Sequence, residues 1–198
     1  LFGNQPLTVT AGADYDVAGE DRKGYVNESG GIGALKRNEF NRVHSWGTYG
    51  QAEWTPIPTV TGFTGLRYTR VKVQSSDYFV AGINPNDSGT AHFSAWTPVI
   101  GALVRVTPLT NVYLNAGRSF ETPTLIELGY RNTGSGLNFD IRPATSNHYE
   151  IGVKSLVGER TRVNLAVFQI YTKDEIVADQ NISGRVTYKN AGKTERRG

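Results

Sequence analysis

The chain has 198 residues, with 21 Lys and Arg against 18 Asp and Glu, a net charge of +3, and neither Cys nor Met. Without cysteine there is no disulfide framework and no thiolate chemistry. The basic residues are scattered apart from the run at 193–197, so nucleic acid is not an expected partner. No apolar run reaches the ~18 residues of a membrane helix, which leaves strands as the only route across a bilayer.

Residues 7–16 alternate and predict a first strand. Residues 18–42 are polar, lack a sustained period and hold the turn-forming run Ser29-Gly30-Gly31; they read as a long connection, of a length that is usually either functional or disordered. The second strand, 45–57, sets Trp46, Thr48, Gly50, Ala52 and Trp54 against Tyr49, Gln51 and Glu53. Pro56 and Pro58 end it, since proline cannot donate to a ladder. After a tight connector at 58–60 comes the third strand, 61–75, and then a second long loop, 76–91, with turn formers from Asn84 onward. The fourth strand, 92–107, points Ile100, Ala102, Val104 and Val106 one way. Pro108 and Leu109 turn the chain into the fifth, 110–119, where Val112, Leu114 and Ala116 oppose Asn111, Tyr113, Asn115 and Gly117. Within the third long connection, Thr122 is placed to cap about one helical turn that has Pro123 at its first position.

Residues 146–178 carry the clearest pattern. Tyr149, Ile151 and Val153 alternate with His148, Glu150, Gly152 and Lys154. After the short connector 157–160, Val163, Leu165 and Val167 alternate with Arg162, Asn164 and Ala166. Each arm has the ~9–11 residues that cross an outer membrane when tilted. A shorter loop at 179–184 leads to an eighth strand, 185–196.

Long connections (17–44, 76–91, 120–146) alternate with short ones (58–60, 108–109, 157–160), the signature of short periplasmic turns and long extracellular loops. Trp46, Trp54 and Trp96 fall near strand ends, where interfacial aromatics belong. The fold class is therefore all-β, an antiparallel transmembrane β-barrel segment of about eight strands. The hydrophobic fraction, 38% counted without Gly, stands beside roughly 45–50% in soluble domains on a count that includes Gly; a wall with one wet face predicts this composition, and a secreted sandwich could match it too. A secreted sandwich with its Trp residues buried is the competing reading.

Several pieces resemble one family in order and spacing. They are Asn115-Ala116-Gly117-Arg118-Ser119-Phe120-Glu121-Thr122-Pro123, then Ile141-Arg142-Pro143-Ala144-Thr145-Ser146, then Tyr149-Glu150-Ile151-Gly152-Val153-Lys154. Leu165-Ala166-Val167-Phe168, Asp174-Glu175-Ile176-Val177 and Gly184-Arg185-Val186-Thr187-Tyr188 continue the series. Together they resemble the TonB-dependent outer-membrane receptors. That resemblance implies a plugged barrel of about 22 strands that takes up a scarce nutrient such as a ferric siderophore. The implied partners are the TonB–ExbB–ExbD complex, outer-membrane lipid and lipopolysaccharide, and a small-molecule ligand. Thr122-Pro123-Thr124 and the stretch from Arg142 to His148, with the later Asp174-Glu175-Ile176-Val177, further resemble the branch that includes the pyrroloquinoline quinone receptor. No plug and no TonB box are present, and the chain ends in Thr194-Glu195-Arg196-Arg197-Gly198 rather than in an aromatic. Residues 1–198 are thus expected to be one partial barrel domain, a middle-to-late segment. A small self-contained pore or adhesin is the alternative.

The expected ligand-binding residues are Tyr78, Phe79, Tyr130, Arg131, Phe139 and Arg142 on the loop side. Arg pairs bidentately with carboxylate-like oxygens, and aromatics give rigid surface, a combination suited to an anionic, partly planar ligand. The plainer role for Arg131 and Arg142 is pairing with loop acids or lipid phosphates. Glu150, Lys154, Arg162 and Asn164 are expected to face the lumen. His44, His92 and His148 share the loop-side level, but their separations do not predict a metal site. No catalytic motif is present, so no enzyme activity, cofactor or metal is expected.

Overall fold

A computed structural model describes residues 5–82, 84–132, 134–182 and 185–198. Its strands are β1 Leu7–Glu28, β2 Gly31–Ile57, β3 Val60–Asp77, β4 Gly89–Thr107, β5 Thr110–Glu121, β6 Ala144–Val157, β7 Thr161–Lys173, β8 Ile176–Ile182, β9 Arg185–Asn190 and β10 Lys193–Arg197. One helical turn, α1 Leu125–Leu128, lies between β5 and β6. Eight strands form one antiparallel sheet in the order β1-β2-β3-β4-β5-β6-β7-β10, while β8 and β9 pair apart from it. Among the described residues no ladder joins β1 to β10, so the sheet is open and has two edges, as expected of a segment.

Two faces follow from the register. One carries Val9, Tyr15, Leu66, Ile100, Leu114, Ile151, Leu165 and Val167, all exposed. Leu165 is 68% accessible and Trp96 58%, which removes the sandwich reading, since no second sheet among the described residues packs over them. This is the outer face. The inner face interlocks polar groups: Arg67 Nη2 meets Asp14 at 2.7 Å, and Tyr113 Oη donates to Glu150 at 2.7 Å. Gly152 lets the Tyr113 ring lie across the strand; a Cβ there would stand 2.5 Å from the ring carbon Cζ.

Three expectations are corrected. The polar stretch 18–42 is not a loop. Its residues extend β1 and β2 into a continuous ladder that runs from Leu7↔Trp54 to Glu28↔Gly31, with bulges about Tyr25. Ser29 (φ 54°) and Gly30 (φ 93°) form the hairpin tip, both left-handed as a two-residue hairpin turn requires. β2 has 27 residues, far beyond the ~9–11 of a membrane crossing, so its upper half stands clear of a bilayer. Second, the helical turn is capped by Thr124, not Thr122. Thr124 and Glu127 form a reciprocal capping box. Third, the eighth strand is interrupted at Ala191 and Gly192: β9 turns back on β8, and only β10 joins β7. Ser183 and Gly184, at the end of the predicted 179–184 loop, lie outside the described residues.

The core sits high on the inner face. Val71, Val73 and Phe93 of β3 and β4 are buried beneath Leu128, Leu137 and Ile141 of the 122–143 connection. Ile176 of β8 and Tyr188 of β9 pack against the same cluster. The connection therefore folds inward over the sheet and does not project from it.

Candidate ligand-binding site

The inward fold builds a cleft of about 740 Å³ between the upper β1–β2 hairpin, the connection and β9. Arg22, Lys23, Lys36, Arg37, Arg131 and Arg185 line it, together with Tyr25 and Tyr130, and no Asp or Glu does. Tyr130 is the hub. The guanidinium carbons of Arg22, Arg37 and Arg185 lie 4.9, 5.3 and 5.6 Å from its ring centroid. Each such contact contributes ~0.5–1 kcal/mol when exposed and ~2 kcal/mol when desolvated. Beneath them is Glu39, only 4% accessible, whose Oε1 stands 3.2 Å from Arg37 Nε and whose Oε2 stands 4.0 Å from Arg22 Nη1. Arg22 also donates to the Gly129 carbonyl at 3.3 Å. One buried carboxylate thus helps hold guanidiniums over an aromatic ring, and the cleft keeps a large positive excess.

Of the six residues expected at a site, Tyr130 and Arg131 line this cleft. Arg131 Nε donates to the Leu137 carbonyl at 2.9 Å, so its position is fixed. Phe139 packs against the core, with its ring over Gly89. Arg142 lies on a latch. Its Nη2 meets Asp174 Oδ1 at 2.7 Å, its backbone N–H donates to Asn190 Oδ1 at 2.8 Å, and Asn190 Nδ2 returns to the Arg142 carbonyl at 2.7 Å. The hydrogen bond from Arg142 holds the Asp174 carboxyl below the usual aspartate range and raises Arg142. Glu175 is also held low, first by the Thr194 hydroxyl and then by Arg196. Tyr78 and Phe79 sit on the separate 78–88 connection and do not line the cleft; Tyr78 is 65% exposed.

The lumen candidates lie on the inner face by register. Glu150 holds Tyr113, and Lys154 Nζ stands 5.0 Å over the Tyr113 ring. Lys154, Arg162 and Asn164 line a second hollow of about 400 Å³ beside Pro108 and Leu109 at the short-turn end. The histidines do not converge. His44 and His92 are on the outer face and His148 is on the inner one. His44 Nδ1 bonds Tyr15 Oη at 2.8 Å, and His148 Nε2 bonds Ser119 Oγ at 2.9 Å.

Sequence reasoning missed Arg22, Lys23, Lys36, Arg37 and Arg185. The signal was present: two dibasic pairs flank Ser29-Gly30 at equal distance, as a hairpin brings together.

The sequence matches the family described as "TonB dependent receptor-like, beta-barrel" over residues 1–198. The chain belongs to the TonB-dependent receptor family. Its fold is similar to that of the copper transporter OprC, with TM-score 0.74 at 17% identity over 96% of this chain and 31% of that one. It is also similar to the siderophore receptor PiuA from Acinetobacter baumannii, with TM-score 0.73 at 17% identity over 98% of this chain and 32% of that one. The ferric citrate transporter FecA gives TM-score 0.73 at 16% identity over 100% and 29%. The chain spans about a third of the length of these structures. A family member is an outer-membrane β-barrel protein, so the outer face meets lipid. The named relatives are transporters and receptors, and none is an enzyme.

Proposed function

We propose that this chain is part of the wall and ligand-capturing vestibule of an outer-membrane active transporter for a scarce nutrient. In this reading the sheet continues at both edges into a larger plugged barrel, because β1 on one side, and residues 161–167 of β7 together with β10 on the other, leave rows of unpaired backbone groups that lipid cannot satisfy. That favours a segment over a self-contained small pore. The hairpin tip, the 122–143 connection and β8–β9 then lie outside the cell, and the short turns at 58–59, 108–109 and 158–160 lie in the periplasm. Transport energy comes from TonB–ExbB–ExbD acting on a plug.

The single observation that supports the ligand reading is the ring of Arg22, Arg37 and Arg185 about Tyr130, in a cleft with no acid in its lining and one buried carboxylate, Glu39, beneath it. Guanidinium forks select carboxylate or similar oxygen pairs, and the aromatic hub suits a flat ligand. A ferric chelate bearing carboxylates fits this chemistry. A planar quinone with carboxylates, such as pyrroloquinoline quinone, fits it as well, and the flat Tyr130 surface is what favours that second reading.

The test uses the whole receptor in its own cells, with radiolabelled ferric chelates and pyrroloquinoline quinone offered separately. Wild-type cells should bind and import one of them, and cells lacking TonB should bind without importing. Arg22→Ala with Arg37→Ala should weaken binding by roughly a hundredfold or more, since hydrogen bonds to charged groups contribute ~1.5–3 kcal/mol each. Uptake that is unchanged in the double variant would reject the cleft as the capture site.

A further inference from the structure

Glu39 lies beneath the cleft and is not part of its lining. Across the ladders it faces Arg22 of β1 and Asp77 of β3. Its Oε1 stands 3.2 Å from Arg37 Nε. Its Oε2 accepts no hydrogen bond among the described residues, and Arg22 Nη1 stands off at 4.0 Å. Opposite Arg37 on β1 is Gly24, where a Cβ would stand 3.2 Å from the Arg37 Cβ. No side chain steers Arg37 from directly across the ladder, so the carboxylate two residues along its own strand sets its orientation.

A guanidinium carries five N–H groups in one fixed plane. With Nε of Arg37 turned down to Glu39, the edge left free is the end edge, Nη1 with Nη2. Arg131 is held the same way, its Nε donating to the Leu137 carbonyl. Among the described residues no acid pairs with Arg131. Both arginines line the cleft, one from β2 and one from the connection. Thr187, 4% accessible, adds to the lining a hydroxyl that bonds nothing among the described residues.

Each end-on fork matches one pair of carboxylate oxygens, and two forks on two walls match two pairs. We propose that Glu39 is the positioning residue that makes this cleft select ligands with two carboxylates over ligands with one. It rests on the reading of the cleft as the capture site. Glu39 acts through Arg37 and does not touch the ligand. A positive field alone takes up any anion by its charge, whereas a fork held in one orientation also requires the oxygens to arrive in pairs.

The test takes the full receptor that contains this segment, in phosphatidylcholine nanodiscs. Its binding of labelled benzoate and isophthalate, flat rings with one and two carboxylates, is measured by equilibrium dialysis. The wild type should hold isophthalate at least about tenfold more tightly, as a further set of hydrogen bonds to a charged group gives. Glu39→Gln should weaken isophthalate by roughly tenfold and leave benzoate within about threefold. Charge alone has the opposite sign, because removing a negative charge from beneath a cationic cleft tightens both anions. Tighter or unchanged isophthalate binding in Glu39→Gln therefore overturns the proposal. So does an equal loss of both probes, which assigns Glu39 to folding alone. Arg37→Lys keeps the charge and removes the fork, and it should lose the preference as well. A preference retained in Arg37→Lys, or missing from the wild type, overturns the proposal whether or not the Glu39 variant folds.

Uptake separates this inference from the reading beneath it. Normal uptake in cells carrying Arg22→Ala with Arg37→Ala, beside an intact isophthalate preference in the wild-type receptor, rejects the capture reading and leaves the role of Glu39. Uptake that falls in those cells, beside a wild type that binds both probes alike, overturns the role of Glu39 alone.

Discussion

The lower and upper halves of the sheet are built from the same ladder but obey different rules. In the lower half, β5 to β7 alternate because the two faces meet different solvents: Leu165 and Val167 are exposed toward lipid while Glu150 and Lys154 face inward. In the upper half, residues 18–42 also pair, from Ala18↔Val43 to Glu28↔Gly31 with register shifts about Tyr25, yet show no period. Both faces there are wet or covered by polar loops, so nothing selects an alternation. The period reports contrast between two environments, not the presence of a strand.

The comparison is broken most strongly by removing the upper half's own core. Leu128 is 0% accessible and Leu137 1%. Leu128→Ala should destabilise the packed connection by ~2–5 kcal/mol, as buried Leu truncations do. The effect should be local. Hydrogen exchange at α1 and β9 should accelerate while the heat-modified gel shift of the membrane-embedded wall stays in place. A collapse of both together would mean the two halves are one cooperative unit.

The lower half has the mirror-image sensitivity. Leu165→Arg on the outer face should cost ~2–4 kcal/mol if it lies near the bilayer midplane, read by folding titration of the full receptor into lipid. The same change at Ile32, 84% exposed at the hairpin tip, should stay within ~0.5 kcal/mol as an ordinary surface substitution. Equal costs at the two positions would place them in one solvent and remove the distinction.

What the sequence made legible divides along the same line. The β6–β7 hairpin and its faces were plain, because Ile151, Val153, Val163 and Leu165 alternate against polar partners and Gly158 marks the turn. The upper β1–β2 ladder was hidden, and Arg22 and Arg37 with it, because they meet Tyr130 across 93 to 108 residues of chain. Tyr130 and Arg131 were found by residue type, but their neighbours depend on the inward fold of the connection, which Leu128, Leu137 and Ile141 drive and no local period announces. The Thr124 cap was readable: Thr124 and Glu127 have the capping-box spacing, whereas Thr122 has Leu125 at that place. The split at Ala191 and Gly192 was not, since Tyr188 turns inward only because a core exists to receive it.

The smallest expected effect lies at the seam between the halves. Arg142, Asp174 and Asn190 fasten the root of β8–β9 to the connection. The folded-state pKa of Asp174 is depressed, chiefly by the hydrogen bond from Arg142. A depressed carboxylate contributes its stabilisation fully above the unfolded value, ~3.9, and loses it as pH falls through the lower folded value. The β8–β9 root should therefore be insensitive to pH from neutrality down to about 4 and open progressively below it. Asp174→Asn should reduce that acid-dependent opening, leaving the part carried by Glu175, held low by the Thr194 hydroxyl and Arg196, and by Asp179, held low by Lys189, and it should leave a weaker latch in which Asn190 still donates to the residue-174 carbonyl at 2.8 Å. Hydrogen exchange at Ile176 and Tyr188 across a series of acid pH values, corrected for intrinsic rates, reads the difference. Identical pH profiles for wild type and variant would assign the fastening to the side-chain amide of Asn190 and to Glu175 and Asp179, and leave the Arg142–Asp174 pair as an exposed contact without weight.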